Sequence, residues 1–441
     1  ASKSNRGFMS KKISVFSQGC AANFGDGEQI ARLLESRGYQ TTFGNLDADA
    51  FCLNVCTVKG ESTALQLLHK IKEAHPTALI LLTGCIPQEF AKQLITEPEN
   101  ISLLNLDILR KEPELLDQWL NGKRILGNLK ERSSRFFAKG ISQETPHIGI
   151  LNISDGCLDA CSFCSTKLVK GNHRSVPPEK ILEEATRYLS QGCKELWLTG
   201  QDTSCYGFDI GTNLAQLAGQ ILSENSGDYK IRLGMGNPRH LEHYLDEMLS
   251  VYEDERVYKF IHLPVQSGSD LVLKKMGRRH DVQTFRTLAQ AFTNKFSYFT
   301  LSTDIIVGFP GETEKDFEDT CSLIEELRPT ICNITRFVPR AGTLAAKFSE
   351  KVSGKEQHHR SAALSALFQK IALQNNQKRV GQISRVLTEK KGHRNGTYIA
   401  RDEAYRPVAL QGNYAPGKWL DVEIDSAETF ALRGKEITNK L

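Results

Sequence analysis

Short apolar runs separated by amphipathic stretches open the chain: ISVFS at 13–17, AFCLNV at 50–55 and LILLT at 79–83. Between them, DGEQIARLLESRG and STALQLLHKIKEA carry apolar residues at i, i+3 and i+4, the period of a helix with one buried face. This alternation predicts a parallel sheet covered by helices. Residues 101–145 are charged and broken by Pro113, Gly122 and Gly127, and read as a connector with some helix.

From Ile148 the pattern restarts. Strands are predicted at IGILNIS (148–154), ELWLT (195–199), KIRLG (230–234), YKFIHL (258–263), STDIIVG (302–308) and ICNITRF (331–337), with helical stretches such as PEKILEEATRYLSQG between them. Six strand–helix units are too many for a small doubly wound sheet and too few for a closed eightfold barrel, so an open (βα)6 partial barrel is expected. Residues 355–380 read as a basic helical connector. After Gly381 the runs shorten to QISRVL, GTYIA, RPVAL, WLDVEI and FALRG with turn residues between, which predicts a small antiparallel β-barrel. The chain is thus read as α/β, with units at 9–140, 141–354, 355–380 and 381–441.

Composition narrows the function. A chain of 441 residues with 40% hydrophobic content can bury several cores, and a net charge of +4 neither demands nor excludes a nucleic acid. No apolar run is long enough to cross a membrane, and the N-terminus lacks the apolar core of a signal peptide. Met9 reads as the native start, after eight added residues, and a cytoplasmic monomer is expected. Eleven cysteines, an odd number, argue against a disulfide framework and for reduced thiols with metal or catalytic duties. Cys52, Cys193, Cys321 and Cys332 are expected to be small apolar core residues.

The remaining chemistry falls into two cysteine sets. Cys157, Cys161 and Cys164 form C-x3-C-x2-C on the loop after the first barrel strand, the end where barrel enzymes keep their sites. Three thiolates on a four-iron cluster leave one iron free to chelate the amino and carboxylate groups of S-adenosylmethionine. The alternative is a zinc knuckle that recruits His173 as its fourth ligand. Cys20, Cys56 and Cys85 each end a strand of the first sheet, 36 and 29 residues apart, so all three lie where parallel sheets gather ligands. They point to a second three-ligand cluster, unless packing alone explains them.

These residues resemble a family. The C-x3-C-x2-C loop on such a barrel is similar to the radical S-adenosylmethionine (radical SAM) superfamily. The N-terminal trio, with HLPVQSGSD, TDIIVGFPGET and VPRAGTLAAKF, resembles its methylthiotransferases over nearly the whole chain. NVCTVK, LTGQDTSCYG and RLGMGNP look most like the archaeal and eukaryotic branch acting on N6-threonylcarbamoyladenosine, although QDTSCYG echoes enzymes modifying a ribosomal-protein aspartate. The resemblance implies an N-terminal cluster domain, a radical SAM partial TIM barrel and a C-terminal RNA-binding TRAM barrel. It also implies two 4Fe-4S clusters, S-adenosylmethionine, a reducing electron donor and the anticodon stem-loop of tRNA as partner. The expected reaction puts a methylthio group on C2 of the modified adenine beside the anticodon, with sulfur from the N-terminal cluster.

Further residues are candidate S-adenosylmethionine contacts. Phe163 resembles the aromatic beside the adenine, and Gly200, Gln201 and Asp202 the segment near the amino group. Arg232 is placed to meet a carboxylate, and Gln266 and Ser267 to bond the ribose or carboxylate. Asp304 and Arg336, within strands, are expected to be inward charges that touch substrate or S-adenosylmethionine, or pair with each other. In the terminal unit, Arg385, Lys390, Lys391, Arg394, Arg401 and Arg406, with Tyr398, Tyr405, Tyr414 and Trp419 interleaved, suit RNA binding. Other readings are an isopentenyladenosine methylthiotransferase, a radical SAM oxidoreductase without sulfur transfer, and a non-catalytic iron–sulfur RNA sensor.

Overall fold

The computed structural model describes residues 11–56, 61–96, 100–131, 137–138, 140 and 143–437. Met9 and part of NVCTVK lie outside them.

The first unit is a five-stranded, all-parallel sheet of β1 (Lys12–Ser17), β2 (Gln40–Phe43), β3 (Ala50–Val55), β4 (Leu79–Gly84) and β5 (Ile101–Leu103), in the order β2-β1-β3-β4-β5. Every residue of β3 is buried, because helices cover both faces of the sheet's centre. Two strands escaped the pattern. QTTF of β2 is too polar to read as a strand, and ISL of β5 is too short to show a period. β5 pairs with β4, so part of the predicted connector belongs to this sheet, together with two helices built around the buried Trp119. The strand order reverses direction between β1 and β3, which opens a crevice at their carboxyl ends.

The second unit is the open six-stranded partial barrel. Its strands are β6 (Ile148–Asn152), β9 (Glu195–Thr199), β10 (Lys230–Leu233), β11 (Phe260–His262), β12 (Thr300–Val307) and β13 (Ile331–Arg336). They form two parallel ladders, β10-β9-β6 and β11-β12-β13, that meet at β10 and β11. A two-residue antiparallel hairpin, β7 (Ser154–Asp155) with β8 (Arg174–Ser175), ties down the cysteine loop.

The open edge at β6 is occupied by the first unit. Helix Ala21–Ser36 lies along β6, and Gly25 permits the approach: a Cβ there would stand 2.8 Å from both Ile150 and Asn152 side chains. Asn152 Nδ2 donates to Ala22 O at 2.9 Å and to Asp26 Oδ1 at 2.8 Å. One face further along, the fully buried Arg32 donates to Glu184 Oε1 at 2.6 Å and to the Tyr188 hydroxyl at 2.7 Å.

The 24-residue helix Gly354–Gln377 is docked rather than a free basic connector: Arg360 is buried and pairs with Glu312, Glu314 and Glu356. The terminal unit is a closed barrel of β14 (Ile383–Lys391), β15 (Thr397–Arg401), β16 (Pro407–Gln411), β17 (Trp419–Ala427) and β18 (Leu432–Glu436). Its pairs are antiparallel except β16 with β18, which is parallel. Its Tyr405, held at a φ of 61°, packs against Tyr258 and Phe260 of the partial barrel.

Glu28, on the same buried helix as Arg32, has its carboxyl pushed up to about 8, chiefly by burial. Because its folded value exceeds the unfolded one, its contribution to stability is full below about pH 4.5 and is lost as pH rises through about 8. In Glu28→Gln, the loss of stability between pH 5 and 8.5 should be shallower than in the parent by on the order of 1–3 kcal/mol, read by urea unfolding at both pH values. Parallel pH profiles of the two proteins would refute it.

Candidate active site

The N-terminal trio sits on three adjacent strand ends. Cys20 caps helix Ala21–Ser36 after β1, Cys56 follows β3, and Cys85 follows β4. Cys20 and Cys56 therefore flank the crevice where the strand order reverses. Gly19, at a φ of 104°, lets the chains close there: a Cβ on it would stand 2.3 Å from the Cys56 sulfur. Burial pushes the Cys85 thiol up to about 12; the Lys170 ammonium opposes this, and the Cys20 thiol adds to it. Cys52, by contrast, lies inside β3, fully buried, with its thiol raised by burial alone.

The barrel trio follows the β7 strand. Gly156, at a φ of 74°, passes so close to Asn172 that a Cβ would lie 2.1 Å from its carbonyl oxygen. Its N–H donates to Gln201 Oε1 at 2.7 Å. Farther along the loop, Ser162 is pinned on three sides: to Met276 O at 2.8 Å, to Lys275 O at 2.9 Å, and from the Ala345 N–H at 2.9 Å. Arg278 Nη1 lies 3.6 Å from the Cys161 sulfur. Burial, then the Asp202 carboxylate, raises the Cys157 thiol to about 12. Phe163 is partly buried and meets Phe309 edge-on at 6.4 Å.

Lys170 stands between the two sets. It ends the helix Ser165–Lys170 that begins directly after Cys164, and its ammonium lies 2.9 Å from Asp26 and 3.5 Å from Asp155. Both trios fit an iron–sulfur cluster: every thiol is free of disulfides, each set lies at strand carboxyl ends, and a cation stands beside each to offset thiolate charge. The zinc alternative finds no support in His173. Its Nδ1 lies 3.3 Å from the Cys205 sulfur and its Nε2 3.0 Å from the Ser175 hydroxyl, so both ring nitrogens are engaged away from the trio.

The other candidates divide. Gly200 packs on Ser154, with no room for a side chain, and Gln201 braces the cysteine loop. Asp202 is buried, with Oδ1 accepting from the Ser204 hydroxyl at 2.6 Å and Oδ2 facing His240 Nε2 at 3.7 Å without a hydrogen bond. Gln266 adopts a φ of 80°, a strained conformation worth on the order of 1–3 kcal/mol that marks functional loops. Ser267 instead faces helix Glu314–Leu327, 3.4 Å from the Thr320 hydroxyl. Asp304 is inward, accepting from His262 at 2.9 Å and Asn333 at 2.7 Å.

One expectation fails. Arg336 is exposed and in register with Val307, one residue out of phase with the inward Asp304–Asn333 pair, so it is neither inward nor paired with Asp304. Arg232 points inward, its guanidinium packed among the rings of Trp197, Phe260 and Tyr405 at 5.0–5.3 Å. The buried Glu195 carboxyl nearby is pushed up to about 7, chiefly by burial, with the Trp197 hydrogen bond and the Arg401 and Arg232 charges opposing the rise. Nothing in KKMGRRH sets Arg278 apart as a cluster neighbour before the chain is folded, whereas Lys170 in LVKGNHRS stands where the resembling family usually has an arginine.

Comparison with known proteins agrees with this layout. Residues 12–105 match an uncharacterised family named UPF0004, residues 151–324 the radical SAM superfamily, and residues 377–437 the TRAM domain. A Pyrococcus horikoshii protein named "Probable threonylcarbamoyladenosine tRNA methylthiotransferase" is 34% identical, covering 97% of this chain and all of its own length. The chain belongs to the threonylcarbamoyladenosine tRNA methylthiotransferase family. The human protein of that name is 33% identical over 97% of this chain and 74% of its own. Among solved structures, the cobalamin-dependent radical enzyme OxsB shares the fold at a TM-score of 0.52 and 13% identity, covering 80% of this chain and 56% of OxsB. The methyltransferase TsrM of Kitasatospora setae does so at 0.52 and 13%, covering 74% and 75%. Membership carries a radical SAM enzyme, with S-adenosylmethionine and a 4Fe-4S cluster.

For this methylthiotransferase, Lys170 offers a direct test of how the two sets are held. Replacing it with Met leaves the buried Asp26 and Asp155 without that cation, a change worth about 3 kcal/mol. Lys170→Met should lower the apparent Tm clearly and Lys170→Arg only slightly. Equal melting of all three proteins would show that the cation does not bind the units together.

Proposed function

We propose that the chain is a tRNA methylthiotransferase that places a methylthio group on C2 of N6-threonylcarbamoyladenosine beside the anticodon, using two 4Fe-4S clusters. The observation that carries the reading is the pair of cysteine trios held on either side of Lys170 by one helix packed along β6. Cys157, Cys161 and Cys164 would hold the cluster that engages S-adenosylmethionine, and Cys20, Cys56 and Cys85 the second, sulfur-supplying one. When bound, the barrel cluster supplies the electron that cleaves S-adenosylmethionine to a 5′-deoxyadenosyl radical. The protein's part is placement. Ser162, pinned on three sides, fixes the cysteine loop; Gln201 holds its first turn; Arg278 offsets charge at Cys161. Phe163, Gly200, Asp202 and Gln266 line the neighbouring loops and are the assigned cofactor contacts. The relatives that match along the full chain favour this substrate over a ribosomal-protein aspartate or isopentenyladenosine.

Cys161→Ala should abolish reductive release of 5′-deoxyadenosine. Cys20→Ala, Cys56→Ala or Cys85→Ala should leave that release measurable, eliminate the methylthio product by nucleoside mass spectrometry, and halve the iron content. Full iron in Cys56→Ala would remove the second cluster from the proposal, and wild-type protein that binds tRNA without consuming S-adenosylmethionine would make it a sensor.

The RNA surface is narrower than the composition suggests. Arg401 and Arg406 are held inside, by Glu389 and by Thr300 and Asn376 respectively, while Arg385 pairs with Asp228 and Arg394 with Glu428. Lys390 and Lys391 remain exposed at the end of β14. The double variant Lys390→Ala/Lys391→Ala should weaken tRNA binding and lower the salt slope by about 1–2. An unchanged slope in titrations at two salt concentrations would take these lysines out of the RNA contact.

A further inference from the structure

A cavity of about 680 Å³ opens beside the chain segments that follow Cys85 and Cys164, one from each cysteine set. One wall begins at Ile86, directly after Cys85; the facing wall begins at Ser165, directly after Cys164. Segments 126–130 and 341–342 complete it. Its size is that of a pocket for a small organic group. Two leucines on its walls are strongly exposed, Leu126 at 45% and Leu168 at 54%. Gly342, at a φ of 81°, keeps the space beside Leu168 clear: a Cβ would lie 3.1 Å from the Leu168 Cδ1. The polar groups are few. Lys92 is engaged by Glu89 at 2.9 Å, whereas Lys130 is exposed and has no ionic partner among the described residues.

Building on the proposed function, we infer that this cavity receives the N6 substituent of the substrate adenine, with Lys130 as counter-ion to its carboxylate. C2 and C6 flank N1 in the six-membered ring, so the C2–H and C6–N6 bonds diverge from each other. An adenine with C2 between the cysteine sets therefore sends its N6 group outward into an adjoining space, and this cavity adjoins both sets. The threonylcarbamoyl group carries a methyl, a hydroxyl and a carboxylate. Leu126 and Leu168 match the first, and Lys130 the last. An isopentenyl group is wholly apolar and would leave Lys130 without a role. A charge-assisted contact at an open rim is worth about a tenfold change in affinity.

The test is steady-state methylthiolation, read by nucleoside mass spectrometry, on one tRNA carrying either the threonylcarbamoyl group or its methyl ester. Lys130→Ala should raise KM for the free acid about tenfold with kcat little changed, and leave KM for the ester unchanged. Lys130→Arg should restore the free-acid KM. An equal rise for both substrates makes Lys130 a phosphate contact and overturns the inference, as does an unchanged KM for the acid. Wild-type protein inactive on the threonylcarbamoyl tRNA but active on an isopentenyl one would overturn the functional reading itself, an outcome that none of the Lys130 comparisons can produce.

Discussion

The contact on which the site depends is the one between helix Ala21–Ser36 and the open edge strand β6. A partial barrel exposes an unpaired strand, which is a liability unless something covers it. Here the cover is the helix whose first residue follows Cys20, and whose Gly25, Asp26 and Arg32 touch β6 or the helix behind it. Closing the barrel's edge and setting the distance between the cysteine sets are thus a single packing event. Moving this helix by one turn, about 5.4 Å, would separate Asp26 from Lys170 and open the interval the substrate must span.

The fold and the six cysteines were legible because each rests on a local signal that repeats. β3, β4 and β9 are short apolar runs whose bounds the structure matches within a residue, and Cys56 and Cys85 at the ends of β3 and β4 inherit that clarity. What was not legible depends on residues distant in the chain. β2 and β5 form only because β1 and β4 offer a free edge. Arg336 was misplaced by a single step of strand alternation, which reverses the face a side chain meets. Arg278 reaches Cys161 across 117 residues, and no spacing rule anticipates such a contact.

Charge in the terminal unit makes the same point from the other side. Ten basic residues from 381 to 441 look like an RNA surface in a count. In three dimensions, the half-buried Arg401 and the buried Arg406 hold the barrel together and to its neighbour, and Arg379 braces the junction before β14 through Glu403 and Ser384. Buried guanidinium groups need their hydrogen-bond partners supplied, and those of Arg406 come from the partial barrel and from the helix Gly354–Gln377.

Tyr405 shows where that integration leads. With Tyr258, Phe260, Trp197 and Arg232 it forms a small apolar knot inside the partial barrel, on the side away from the cysteine loops. The terminal unit therefore supplies a stopper as well as a surface. A reactive carbon radical is quenched by whatever hydrogen donor reaches it first, so a barrel plugged at its base has one entrance to guard instead of two. Exchanging the terminal unit for another of its kind would unseal the floor, unless the newcomer brings a ring to the place of Tyr405. The two units are bound to change together.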